Sequence, residues 1–202
     1  MTEGMAEKED RKRAEREYLW ERRYKIVYKA RLSALYHRER ERFLSWVGKA
    51  VTAIALIGGS AAFVSVASPW IVKSVGLVIV LTTTVSLVFD LSGAARRHAE
   101  LAARYERLLA EITRRGERDF EEDDLNTWEA EIHEIQAMEP PAYATLVRLC
   151  QNRLDAADGH PERAIGVPFW RRLLAQIYSG GGWVSATSKP KRGRTNEHPQ
   201  VI

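Results

Sequence analysis

Polar and apolar positions divide the chain into unlike stretches. Residues 7–42 are densely charged and contain neither Pro nor Gly. Within them Trp20, Tyr24, Tyr28, Leu32 and Tyr36 recur every four residues, with Val27 and Leu35 beside them. That spacing predicts one long helix with a single apolar, aromatic face. From Ala50 to Val72 there are twenty-three residues without a charge, and from Ser74 to Phe89 sixteen more. The pattern then changes again. Leu91, Ala94, His98, Leu101, Tyr105, Leu108 and Ile112 alternate at spacings of three and four, which predicts a helix carrying a coiled-coil-like seam. Further on, Leu125, Trp128, Ile132 and Ile135 predict another amphipathic helix, ending before Glu139-Pro140-Pro141. Tyr143, Leu146, Val147, Cys150 and Leu154 predict the next, broken by Gly159-His160-Pro161. A last short helix is expected at 168–178, with Phe169, Trp170, Leu173, Leu174 and Ile177 on one side and Arg171 and Arg172 flanking them. Gly180-Gly181-Gly182 opens a tail rich in Ser, Thr, Lys, Arg and Pro, for which disorder is expected.

The forty positions from Ala50 to Phe89 hold one charge, Lys73. A spanning helix needs about 20 mostly apolar residues to cross ~30 Å of hydrocarbon. A single helix of this run is about twice too long by that criterion, so the run is expected to fold back on itself. Ala67-Ser68-Pro69-Trp70 is the obvious turn, because Pro disfavours helix at the residue before it and fits a helix's first turn. The expected spans are about 46–66 and 70–89. Trp46 and Trp70 sit where interfacial aromatics belong, and Lys73 is placed to snorkel back to the surface. Arg38, Arg40, Arg42 and Lys49 precede the first span and Arg96 and Arg97 follow the second, whereas the turn offers only Lys73. The excess of basic residues on one side places both termini in the cytoplasm. The apolar run also lies too far behind its charged lead for a secretory signal.

The fold class expected is therefore an all-α membrane protein, a two-transmembrane helical hairpin with long cytoplasmic helical extensions and a small C-terminal helical region. Four segments follow: a charged lead at 1–17, the hairpin and its extensions at 18–112, cytoplasmic amphipathic helices at 113–178, and a basic tail at 179–202. Because both stripes leave the membrane on one side, they are natural antiparallel partners. A seam between subunits fits the same pattern.

Composition sharpens this picture. The net charge of +4 over 202 residues hides +5 in residues 1–49, −7 in 90–139 and +5 in 140–202. The lone Cys150 excludes a disulfide framework and a thiolate metal cluster, and it reads as a packed small hydrophobe. No P-loop, GxGxxG, HExxH or nucleophile elbow occurs, so an enzyme is not expected. His37, His98, His133, His160 and His198 are scattered. His98 on the seam has no second His, Cys or carboxylate at ligand spacing and reads as a packed interface histidine. The stretch Glu117–Asp124 lacks the interior Gly and closing Glu of a calcium loop, and His133 with Glu129 makes a poor metal site. No cofactor or metal is expected, and the tail's KPKRGR attracts polyanions only without sequence preference, so no specific nucleic acid is a partner.

Within the spans, Ala55, Gly58, Gly59 and Ala62 are small residues four apart, the spacing that lets helices approach closely in lipid. Thr82, Thr83 and Ser86 give the second span hydroxyls. These can bond to the preceding turn's carbonyls, or line a wet path if an oligomer brings them together. No carboxylate lies in the spans or their turn, which argues against a cation-selective acidic ring.

The segments YLWERRYKIVYKARLSALYHRERERFLSW (18–46), DLSGAARRHAELAARYERLLAEI (90–112) and WEAEIHEIQAMEPPAYATLVRLCQNRLDAADG (128–159) around this hairpin resemble the SLATT family, two-transmembrane effectors associated with bacterial SMODS and SLOG proteins. The similarity covers about 18–178. It implies an effector of bacterial conflict, including phage defence, that oligomerises and permeabilises the inner membrane when a partner sensor or nucleotide signal triggers it. The family lends no catalytic residues. The reading that competes with a pore is a membrane-anchored scaffold whose cytoplasmic helices recruit a partner protein.

Overall fold

The computed structural model describes residues 2–58, 69–88 and 90–176. Every regular element among them is helical. The first helix, α1 (Thr2–Gly58), is unbroken over 57 residues, about 85 Å at the α-helical rise. It carries the charged lead, the aromatic segment and the first nine apolar residues of the uncharged run in one rod. Helix α2 (Pro69–Val88) begins at the expected proline. Then come α3 (Leu91–Arg115), α4 (Glu122–Ala137), α5 (Ala144–Ala157), a 3-10 turn at Pro161–Arg163, and α6 (Phe169–Leu174).

Helix α1 is the spine. Helix α3 lies along it antiparallel: Ile26 packs in one cluster with Leu108 and Ile112, His37 meets His98, and Arg38 meets Glu106. Close approach is permitted by alanines, since Ala30, Ala34, Ala95 and Ala102 are all buried. On one side of the pair α4 adds Leu125, Trp128, Ile132 and Ile135 to complete a core with Leu101 and Tyr105. On another side of α1, Leu32 and Tyr36 pack with Leu146, Cys150, Leu154 and Ala175. Two apolar clusters thus share one spine.

Polar contacts set the register of these layers. Arg22 of α1 reaches α4, bonding Glu129 at 2.7 Å and Asn126 at 2.7 Å. Arg31 pairs with Asp158 at 3.0 Å and Arg153 with Glu39 at 2.6 Å, tying α5 to the spine. At the start of α4 the Glu121 backbone N–H donates to Asp124 at 2.8 Å, so part of the acidic stretch caps a helix. Gly116 ends α3 at φ 88°, a left-handed position that suits glycine.

Two expectations need correction. The buried stripe of α1 is Ile26, Ala30, Ala34 and His37 on one side with Leu32 and Tyr36 on the other, while Tyr24 is exposed and Trp20, also exposed, meets Phe120 edge-on and the Arg23 guanidinium. The expected stripe holds from Val27 onward, where Leu32 and Tyr36 are buried and Val27, Tyr28 and Leu35 pack against the clusters, and fails at Trp20 and Tyr24. The last helix is six residues long, and Ala175 after it is buried against the second cluster while Phe169 and Trp170 stay exposed. Ile177 lies outside the described residues, as do the expected turn residues Ala67 and Ser68.

Among the described residues, no single helix is long and apolar enough to cross a membrane; Gly76–Val88 and Leu91–Arg115 pass only as a pair, across a 41° bend.

Candidate functional site

The most concentrated buried chemistry lies where α1, α3 and the α4–α5 connection meet. Helix period puts His37 on the face of α1 that also buries Ala30 and Ala34, and His98 on the seam of α3 three residues before Leu101. Pro140 and Pro141 end α4, so the chain turns at Glu139 and brings its carboxylate under both rings. The Nδ1 atoms of His37 and His98 are 2.8 Å apart, and His37 Nε2 is 3.0 Å from Glu139 Oε1. Tyr105 O–H donates to the same carboxylate oxygen at 2.6 Å. Tyr36 stands edge-on to both imidazoles, and its hydroxyl accepts the Tyr143 backbone N–H at 3.1 Å.

The chain runs His98 Nδ1, His37 Nδ1, His37 Nε2, Glu139, with His37 donating to the carboxylate. Burial, then the facing His37 ring and the Arg40 and Arg97 cations, push His98 down to about 4. Burial alone raises Glu139, but donation from His37 and Tyr105 outweighs it and holds the carboxyl below its usual range. The Tyr105 phenol is driven far up by burial and by the carboxylate it bonds. The cluster is a fixed hydrogen-bond relay locking three segments together, and protonating His98 adds a buried cation beside Arg40 and Arg97.

Above the relay opens a cleft of about 660 Å³, lined by Arg40, Arg97, Arg104, His98, Glu139 and Tyr143 among others. A smaller groove of about 420 Å³ lies between α1 and α2, where Thr83 and Ser86 face Thr52 and Ala55. Of the hydroxyls expected to line a wet path, Thr83 and Ser86 therefore border an intrachain groove, whereas Thr82 donates to the Val78 carbonyl of its own helix at 2.8 Å. Ala55 is half-buried in that groove and Gly58 closes the described part of α1; Gly59 and Ala62 lie outside the described residues. Trp46, Trp70 and Lys73 are exposed. On the seam, His98, Leu101, Tyr105, Leu108 and Ile112 are buried, and Leu91 and Ala94 are intermediate.

Cys150 is enclosed in the second cluster, where burial pushes its thiol up to about 12, so it packs as a neutral hydrophobe. His133 and Glu129 form no part of the relay. Among the described residues no group of three or more His, Cys, Asp or Glu side chains is arranged to hold a metal ion. Reading the sequence locally missed the partners of His98, because His37 is 61 positions away and Glu139 reads only as the end of a helix. The available signal was His37's place seven residues after Ala30, on a stripe of small residues.

No protein-family model matches the chain, and no curated protein or solved structure matches it either.

Proposed function

We propose that this protein is a two-span membrane effector of a bacterial conflict or phage-defence system. On this reading it resides in the inner membrane with both termini cytoplasmic, oligomerises, and permeabilises the bilayer when a cytoplasmic sensor or nucleotide-signalling partner triggers it. The observation that carries the membrane assignment is where the apolar surface lies. Ile54, Leu56, Ile57, Trp70, Leu77, Val80, Leu81, Leu87 and Val88 are all exposed, with Leu87 at 81% and Trp70 at 77%. Contiguous apolar surface on this scale needs a covering phase, and the segment's single charge in forty positions matches lipid better than water. The resemblance to SLATT proteins, carried by residues 18–46, 90–112 and 128–159, supports the step from membrane hairpin to effector. Thr83 and Ser86 are the residues proposed to line the wet path, and Ala55, Gly58, Gly59 and Ala62 the packing face.

The test is dye and ion release from liposomes reconstituted with the purified protein beside its Thr83→Leu variant. Release that Thr83→Leu abolishes supports a pore lined by α2. Release by both keeps the pore and removes Thr83 from its wall. A second reading, a membrane-anchored scaffold, is favoured by Thr82, whose hydroxyl is already used by its own helix. Exchanging the hairpin for an unrelated two-span anchor separates the two, since only a scaffold keeps its function after the exchange.

A further inference from the structure

We propose that the cleft between α1, α3 and the α4–α5 connection is a binding site for a phosphate group. Its wall contains a cation that forms no ion pair among the described residues. Arg40 is 7% exposed. Its Nη1 donates to the Gln176 backbone carbonyl at 2.5 Å and to the Gln176 side chain at 3.1 Å, and its guanidinium lies 4.4 Å from the Tyr143 ring centroid. Its Nε makes no hydrogen bond although it is buried. A buried N–H without a partner costs about 1–3 kcal/mol, more on a charged group, so an unfilled donor of this kind marks a place where an acceptor belongs.

Across the cleft Arg97 and Arg104 lie two turns apart on α3 and line the same space. Arg97 is loosely held, 3.8 Å from Asp90, while Arg104 pairs at 3.1 Å with Glu100, which also lines the cleft, and its Nη1 lies 3.5 Å from Met138 Sδ. Glu139, also on the lining, spends its Oε1 on His37 and Tyr105 and makes no hydrogen bond or ion pair with Arg40 among the described residues. Three arginines therefore line a volume inside the 300–1,000 Å³ range of small-molecule sites, and one of them, Arg40, is pre-ordered by stacking and burial. Arginine's fork of donors matches phosphate oxygens, and an oxygen placed in the cleft would supply the acceptor that Arg40 lacks.

Two sources carry this chemistry. Leu44 and Ala94 form one end of the cleft, and each stands within two turns of the uncharged run that starts at Ala50 and ends at Phe89. An anionic phospholipid headgroup is therefore within reach, and so is a soluble phosphate compound from the cytoplasmic side. The site itself does not depend on the pore.

The experiment titrates inorganic pyrophosphate into the purified full chain in zwitterionic detergent, followed by calorimetry, with vesicles of phosphatidylcholine alone or mixed with phosphatidylglycerol as competitors. Saturable binding is expected, weakened roughly tenfold by Arg97→Gln or Arg104→Gln and lost in the double variant. Arg171→Gln with Arg172→Gln, on the exposed α6, is expected to leave binding unchanged. Arg97 is exposed and Arg104 half-buried, and thermal melting checks that each variant is folded. Competition by the phosphatidylglycerol vesicles alone assigns the site to a lipid headgroup; its absence assigns a soluble phosphate. The proposal is overturned if pyrophosphate does not saturate the chain, or if the α6 variants lose as much binding as the cleft variants.

Discussion

The same amino acids behave oppositely in two parts of this molecule. In the bundle of α1, α3, α4 and α5, Leu101, Leu108, Leu125 and Ile132 are almost wholly enclosed. Along 50–58 and α2, Leu56, Leu77, Leu81 and Leu87 stand exposed. Water alone accounts for the first arrangement, since burying each such side chain is worth about 1.5–3 kcal/mol. It does not account for the second. The bundle buries its apolar side chains against one another, whereas the described part of the uncharged run leaves them exposed.

Core truncation gives the sharpest contrast. Trp128 is 2% exposed where α4 meets α1 and α3. Trp128→Ala is expected to cost about 3–5 kcal/mol and abolish the cooperative melt of the bundle, followed by circular dichroism of the full chain in detergent. Leu87→Ala, at a position that touches little protein, is expected to leave that melt in place. An equal loss from both would end the distinction between the two regions.

Acid probes the bundle's polar centre. A histidine held neutral at about 4, against an ordinary 6.5, binds fewer protons folded than unfolded throughout that interval. Stability therefore rises with pH from about 4 to 6.5 and is lost as pH falls through the same window, by about 3 kcal/mol from His98 alone. Glu139, depressed below its usual range, acts in the same direction at lower pH. The groups facing His98 are His37 and Arg40 on α1, Arg97 on its own helix, and Glu139 on the connection. His98→Gln is expected to flatten the pH dependence of the melt between 4 and 6.5. Unchanged slope in that variant would place the acid sensitivity elsewhere.

Side-chain pairs at the rim matter less. Arg22 bonds Glu129 through two nitrogens and Asn126 through one, bridging α1 to α4 near the surface. A double-mutant cycle of Arg22→Ala and Glu129→Ala is expected to give a coupling of about 1 kcal/mol that shrinks at high salt. Coupling several times larger would mean that the bundle rests on its rim as much as on its core.

The legibility of this structure in its sequence follows the range of the interactions involved. Leu125, Trp128, Ile132 and Ile135 were readable as one buried face because a helix repeats its environment every turn. Pro69 was readable as a helix start because its ring acts on its own backbone. His37 and Glu139 were not, since their pairing spans 102 positions and depends on how α1 crosses the α4–α5 connection. Trp20 and Tyr24 misled for a related reason: their recurrence was real, but the partner helix approached along Ala30 and Ala34 instead. Nothing in the spacing of Arg40, Arg97 and Arg104 announces a common cleft, as two of them face the third only after the spine and α3 pack.

The two regions join at Asp90, which gives the finest test of the comparison. Its backbone is left-handed at φ 42°, and its carboxylate accepts the Gly93 N–H at 3.0 Å to cap α3. Aspartate and asparagine tolerate that conformation better than other side-chain-bearing residues and both can cap. Asp90→Asn is therefore expected to change stability by less than about 0.5 kcal/mol, and Asp90→Ala to cost about 1–2 kcal/mol by losing the cap and keeping the backbone strain. A Cβ on Gly93 would meet the Asp90 carboxylate at 1.9 Å, so Gly93→Ala must displace that cap and is expected to resemble Asp90→Ala. Hydrogen exchange at the first turn of α3 reads all three. If the junction merely links two independent bodies, Asp90→Ala frays α3 locally and leaves protection at Leu108 and Ile112 untouched. Protection lost at those distant sites would mean instead that the bundle's order depends on how the apolar run enters it.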